Sequence, residues 1–214
     1  MGNKINPTTV AFYIVPLINA MIRVGTQEEK ERLFEAFIDG KKKVISNKRG
    51  AKGETTYLAY ESARECTNAK ARQNKIKDKV VEELEIKIYK HDLLENKVLF
   101  VRLDDDNDFP SELNGLVANQ LANKFHHPTI IARLNEDGQI RGSARGLNQS
   151  GLDSFKNFMM DSGYFEYALG HDNACGCSIS NKDLLAFHTY ANEKLKDIDF
   201  SESVFSVNFC EFAA

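Results

Sequence analysis

From Glu54 to Leu84 the chain runs without a glycine or proline and is dominated by alanine, lysine, glutamate and arginine. That composition specifies one continuous, largely exposed helix. Its apolar seam is sparse: Tyr57, then Tyr60 or Glu61, Arg64, and onward through Ile76, Val80 and Leu84. A helix with so thin a seam has no face to bury inside one small core. It is expected to span between two bodies, so the sequence on either side is read separately.

On the N-terminal side, Phe12, Val15, Leu17, Ile18, Met21 and Ile22 recur at three- and four-residue intervals between Thr8 and Val24. This spacing predicts a buried helix, interrupted or bent near Pro16. Asn19 and Arg23 lie four apart and share a face of it, where they could converge on one anion or simply hydrogen-bond along the surface. A second amphipathic helix follows, with Glu28 and Glu29 in its first turn and Leu33, Phe34, Phe37 and Ile38 as its stripe. Gly40 ends it, and the lysine-rich stretch from Lys41 to Gly53 reads as a mobile connection.

Beyond the long helix, at Glu85, the period changes from helical to alternating. Ile86, Lys87 and Ile88 read as a strand, and Val98–Leu103, apolar but for Arg102, is a run of buried-strand type. A helix capped by Ser111 or Asn114 and stopped by His126-His127-Pro128 separates it from a strand over Thr129–Leu134. Asn135-Glu136-Asp137-Gly138 then forms a hairpin turn and Gln139–Arg145 the antiparallel return. A short helix with Leu152, Phe155, Phe158 and Met159, a small-residue strand from Ala174 to Ile179, and a helix from about Asp183 to Lys196 complete the pattern. Val204–Phe212 alternates like a strand that continues further. The expected fold class is α/β: a helical N-terminal segment and a long connecting helix, then a compact domain with a mixed β-sheet flanked by helices. The expected divisions are 1–53, the helix 54–84, the α/β domain 85–200 and a terminal strand 201–214.

Two glycine-punctuated polar turns stand out in the second body: Gly142-Ser143-Ala144-Arg145-Gly146 and Gly170-His171-Asp172-Asn173-Ala174-Cys175-Gly176. Small residues let a ligand approach the backbone, and each turn adds one strong donor, a guanidinium or an imidazole. This suits a phosphate or a nucleotide end. The net charge of -3 conceals a basic stretch from Lys41 to Lys90, where basic residues outnumber acidic ones about two to one. It is either a nucleic-acid contact surface or a solvated helix face. The run Asp104-Asp105-Asp106-Asn107-Asp108 lacks histidine and reads as a solvated turn rather than a metal site. No stretch approaches the roughly 18 consecutive apolar residues of a membrane span and no signal-peptide core follows Met1, so a cytoplasmic protein without membrane attachment is expected. Cys66, Cys175, Cys177 and Cys210 are spaced as reduced thiols.

Three separated patches, in order, make the chain resemble the C-terminal part of RecJ-type single-strand exonucleases of the DHH phosphoesterase superfamily. Ile18-Asn19-Ala20-Met21-Ile22-Arg23-Val24-Gly25 is similar to a stretch near the end of that family's DHH domain. Asn114–Leu121, His127–Ile131 and Gly142–Arg145 form the second patch, and Gly170–Gly176 the third; the last two resemble the type-1 DHH-associated domain. The resemblance implies that Ser143 and Arg145 hold a substrate phosphate and that His171 contacts a phosphate near the scissile bond. Gly142, Gly170, Asn173 and Gly176 would shape the same phosphate site, with Asn19 and Arg23 near the domain junction. It further implies single-stranded DNA as partner, with RNA or short oligonucleotides as variants.

In such a family the cations, Mn2+ or Mg2+, sit in a separate DHH domain, as a two-metal site needs several carboxylates or histidines around ions ~3.5 to 4 Å apart. No Asp-His-His triplet occurs here. The chain is accordingly expected to be part of a longer protein, to bind no metal by itself and not to hydrolyse DNA alone. Three departures from the family pattern are Leu169 in place of the first glycine of the last turn, Cys175 in place of an alanine, and Met21-Ile22 in place of a small pair. The alternatives are a non-catalytic RNA- or tRNA-binding or assembly module of the DHH-associated type, and a part of a phosphodiesterase acting on short RNA or dinucleotides. A core histidine at 171 and a structural salt bridge at Arg145 are the competing readings of the two donors.

Overall fold

A computed structural model of the chain describes residues 6–103, 109–148 and 151–200. The acidic run 104–108, the terminal strand expected over 201–214 and Cys210 lie outside the described residues. The chain forms two compact units, Met1–Lys79 and Val80–Ala214.

In the first unit, α1 (Pro7–Thr9) is opened by Asn6, whose side-chain oxygen accepts from the Thr9 amide at 2.7 Å. A π-helical turn, Val10–Ile14, then leads into α2 (Val15–Val24). Pro16 sits in the first turn of α2. Its missing N–H costs little there, and the wider turn ahead of it absorbs the change of register. The expectation of a buried helix is corrected: only Ala20 and Met21 of α2 are buried, while Phe12 and Tyr13 are 73% and 72% exposed. By length and composition the run Pro7–Val24, with a mean hydropathy of 1.4, is sufficient to cross a membrane, which the sequence reading did not expect of any stretch.

Next, α3 (Gln27–Ile38) begins in a capping box: Thr26 Oγ1 accepts from the Glu29 amide and the Glu29 carboxylate accepts from the Thr26 amide. Leu33 packs with Leu17 and Val24 around Met21, Cys66 and Ala69. Phe34, Phe37 and Ile38, predicted to share its buried stripe, are exposed.

The 41–53 connection is more ordered than its composition predicts. In it β1 (Lys43–Ile45) pairs antiparallel with β2 (Thr55–Tyr57). The buried Glu61 carboxylate closes the loop by accepting from the Asn47 amide at 3.0 Å and Ser46 Oγ at 3.3 Å. Glu61 belongs to α4 (Leu58–Lys90), so the long helix starts later than Glu54. Two ion pairs hold α3 to α4: Arg32 grips Glu65 through two bonds of 3.1 and 2.7 Å, and Arg72 reaches Glu29 at 2.5 Å.

The strand predicted at Ile86–Ile88 is the last turn of α4. A strand would place Ile86 and Ile88 on one face, yet Ile88 is fully buried and Ile86 is 65% exposed. Val81, Leu84 and Ile88, all buried, follow the three- and four-residue steps of a helix instead. Lysine at 87 mimicked alternation only locally.

The second unit is built on a five-stranded mixed sheet of β3 (Leu99–Arg102), β4 (Thr129–Leu134), β5 (Gln139–Arg145), β6 (Phe165–His171) and β7 (Ala174–Ser180), in the spatial order β3-β4-β5-β7-β6. β3 and β4 are parallel and joined through α5 (Asn114–Phe125); the other pairs are antiparallel. α6 (Phe155–Asp161) connects β5 to β6, and α7 (Leu184–Lys194) follows β7.

Phe155 and Met159 of α6 and Phe187 and Ala191 of α7 are buried with Ile130, Ile140 and Ile179 in one core. α5 is not capped by Ser111 or Asn114: a 3-10 turn, Ser111–Leu113, runs straight into it, and Asn114 is its buried first residue. Its end agrees with the sequence, His126 adopting the left-handed conformation at φ 54° ahead of Pro128. Cys66, Cys175 and Cys177 are unbridged and buried, and burial pushes the Cys177 thiol up to about 12.

Candidate functional site

The two glycine segments meet because β5, β7 and β6 are neighbours in the sheet. Register places Arg145 opposite Ala174, and Ala174 opposite His171. Arg145, at the end of β5, and His171, at the end of β6, therefore lie across two strand steps at the same edge. The segments are also tied directly. Gly146 N–H donates to the Asn173 carbonyl at 3.0 Å, and Asn173 Oδ1 accepts from the Phe155 amide at 3.2 Å. A Cβ on Gly146 would fall 2.3 Å from Asn173 Oδ1, so glycine there permits the junction.

The resulting cleft, about 570 Å3, is lined by Asn119, Arg145, Asn148, Lys156, Gly170, His171, Asp172 and Asn173 among others. Its walls are polar. A second cavity of about 320 Å3 in the first unit is walled by groups such as Ile14, Leu17, Leu33 and Phe37, which give an anion no partner.

Arg145 is half-buried. Its Nη1 donates to the Ala144 carbonyl at 2.7 Å, and its Nη2 lies where the backbone of α5 comes closest: a Cβ on Gly115 would stand 2.3 Å from it. Gly115 thus makes the berth that the guanidinium occupies. This gives the Asn114–Leu121 patch a physical link to Arg145. His171 is exposed, so the core-histidine reading does not hold. Lys156, on α6, donates through Nζ to Asp172 Oδ1 at 3.2 Å and the Gly170 carbonyl at 3.4 Å. Asp172 also accepts from Ser154 Oγ at 3.1 Å. Lys156 foremost, then Ser154, holds the Asp172 carboxyl below its ordinary range.

The predicted residues divide. Arg145, Gly170, His171 and Asn173 come together in the cleft. Ser143 shares a β5 face with Arg145 but does not line the cleft. The first segment is not a turn: Gly142 and Ser143 lie inside β5, flanked by β4 and β7. A Cβ on Gly142 would stand 2.1 Å from the Ile131 carbonyl oxygen, so this glycine serves strand packing. Gly176 is likewise inside β7, opposite Ser143 and Leu169. Asn19 and Arg23 both lie on α2, in the other unit.

Leu169, where the family pattern has glycine, is an ordinary strand residue with an exposed side chain. The special conformation belongs to Gly170, at φ 138°, so the leucine is accommodated without strain. Lys156, Asn119 and Asn148 were missed by sequence reasoning. Lys156 reads there only as a polar position on a short amphipathic helix. Gly115 did carry a signal, as an isolated glycine in the first turn of a helix.

No protein-family model matches the chain. It is 39% identical over 202 residues, 92% of its length, to a protein of Bacillus subtilis strain 168 named as the SPbeta prophage-derived single-strand DNA-specific exonuclease YorK. The same identity holds for a protein of Bacillus phage SPbeta named as the single-strand DNA-specific exonuclease yorK. Among solved structures, RecJ of Thermus thermophilus with Mg2+ superposes with a TM-score of 0.53 at 19% identity, over 87% of this chain and 26% of RecJ. An exonuclease RecJ bound to manganese gives 0.55 at 19% identity, over 93% of this chain and 46% of that one.

The chain is similar in sequence to these single-strand DNA-specific exonucleases and in fold to RecJ. The two solved RecJ structures share its α/β fold, and they contain Mg2+ or manganese. The chain spans about a third of the length of the curated relatives it matches, 35% in each case. Among the described residues no group of three or more His, Cys, Asp or Glu could hold a metal ion.

Proposed function

We propose that this chain is the substrate-holding part of a RecJ-like exonuclease acting on single-stranded DNA, and that the cleft between β5, β6 and α6 binds a phosphate of the strand. The observation that carries this reading is the convergence of Arg145 and His171 on one polar cleft, in a chain with relatives named as single-strand DNA-specific exonucleases. Arg145 would supply the guanidinium fork, pre-positioned against Gly115, with His171 as a second donor beside it. Gly170 and Asn173 shape the turn that lets a phosphate approach the backbone. Ser143 would act only at the sheet face next to the cleft; Asn19 and Arg23 belong to the first unit.

Hydrolysis in this reading depends on Mn2+ or Mg2+ held by a DHH domain outside this sequence. The residues of this chain bind and orient the strand. The test is fluorescence anisotropy with a 5′-phosphorylated single strand, a duplex and a structured RNA. Preferential, salt-sensitive binding of the single strand that is weakened by Arg145→Ala and His171→Ala supports the proposal. Preference for structured RNA would move the chain to the RNA-binding alternative. Binding that ignores both substitutions and salt would refute it.

A further inference from the structure

The cleft contains a cation that the reading above does not use. Lys156 lines the same cavity as Arg145 and His171, and its side chain is 27% exposed. Its Nζ is turned to one anionic oxygen and one carbonyl, Asp172 Oδ1 at 3.2 Å and Gly170 O at 3.4 Å. Both distances exceed the roughly 2.7–2.9 Å typical of a strong ammonium–oxyanion bond. The partner carboxylate is 62% exposed, and ion pairs this wet are weak and exchange readily. Two features keep Lys156 in place without that pair: its amide donates to the Asp172 carbonyl at 2.9 Å, and the preceding Phe155 is fully buried in the core.

We propose that Lys156 is a further phosphate ligand of the cleft and that Asp172 is its internal placeholder, an anion that occupies the ammonium until a strand phosphate displaces it. The proposal rests on the phosphate-binding reading of the cleft and adds to it a specific residue and an exchange. A terminal phosphate brings more negative charge to Lys156 than the carboxylate does, and it can be shared with Arg145. Once released, Asp172 keeps its bond from Ser154 Oγ, at 3.1 Å in the present arrangement, and turns toward solvent. While it remains near the cleft its charge opposes the strand, so the placeholder also sets affinity below what the cations alone would give.

The test uses the full chain and a labelled 5′-phosphorylated single strand of about 12 nucleotides, with affinity measured across salt concentrations. Lys156→Gln is expected to weaken binding about five- to twentyfold and to lower the salt slope by about 0.7, the loss of one phosphate contact. Lys156→Arg is expected to retain most of both. Asp172→Asn, which keeps an acceptor for Ser154, is expected to tighten binding about threefold or more. Much of that gain should vanish in the Lys156→Gln background. Circular dichroism and melting temperature establish that each variant is folded.

Unchanged affinity and slope in folded Lys156→Gln would overturn the proposal, as would weakened binding in Asp172→Asn. Arg145→Ala separates the two levels. If it weakens binding while Lys156→Gln does not, the cleft reading stands and this inference falls. If the unmodified chain does not bind the strand, both fall.

Discussion

Replacing Gly115 with alanine should separate binding from stability. The added Cβ would stand 2.3 Å from Arg145 Nη2 and 3.1 Å from its Cζ, whereas ordinary contact begins at 3.4 Å. The group in the way is the end of a flexible side chain, so the protein yields there: the guanidinium retreats by about 1 Å or more. A donor displaced by that much from a bond of about 2.8 Å no longer makes it. Loss of a charge-assisted bond amounts to about 1.5–3 kcal/mol, or about ten- to a hundredfold in affinity.

The same change removes a glycine from α5, and alanine favours helix by up to about 1 kcal/mol. The melting temperature should stay level or rise by about 2–4 °C. Anisotropy with a single-stranded oligonucleotide, beside a thermal melt, reads both. In the Arg145→Ala background, Gly115→Ala should cost nothing further. Full affinity in Gly115→Ala, or an equal loss in both backgrounds, would refute the claim that Gly115 positions Arg145.

Two further predictions address the fold. Gly142→Ala places a Cβ 2.1 Å from the Ile131 carbonyl and 2.6 Å from Ala132 Cα; these are backbone atoms of β4, which cannot swing aside. It should cost about 3 kcal/mol, seen as a lowered urea midpoint. His188 packs edge-on against Phe100 at 5.9 Å, its Nδ1 has no hydrogen-bond partner among the described residues, and burial lowers its pKa from 6.5. The fold favours neutral imidazole, so its contribution is intact above about pH 6.5 and is lost as pH falls through the lowered folded value. The slope cannot exceed about 1.4 kcal/mol per pH unit for one proton. His188→Leu should flatten the fall in stability below about pH 6.5; an unchanged profile contradicts the assignment.

Where side-chain period and turn chemistry act locally, the sequence was legible. The hairpin at Asn135–Gly138, the stop at His126–Pro128 and the strands 129–134 and 139–145 all follow from neighbours in the chain. The failures have one physical origin, since which face of a helix is covered depends on residues far away. Ile86 and Ile88 looked like a strand because lysine separated them, yet only Ile88 meets the core. Phe34, Phe37 and Ile38 have a helical stripe that α4 does not cover. At the site, the donors Arg145 and His171 were visible as residues in glycine-rich segments. Their meeting depended on the strand order β5-β7-β6, and the berth at Gly115 and the approach of Lys156 on packing between elements.

Single-stranded nucleic acid is proposed to enter at the cleft between β5, β6 and α6. Titrating the isotopically labelled chain with a 5′-phosphorylated single strand, and following backbone amide resonances, tests it most directly. The largest changes are expected at Arg145, Gly146 and Gly170–Ala174. Changes confined to the β4–β5 hairpin, where Arg133 and Arg141 border a separate cavity of about 1010 Å3, would contradict it.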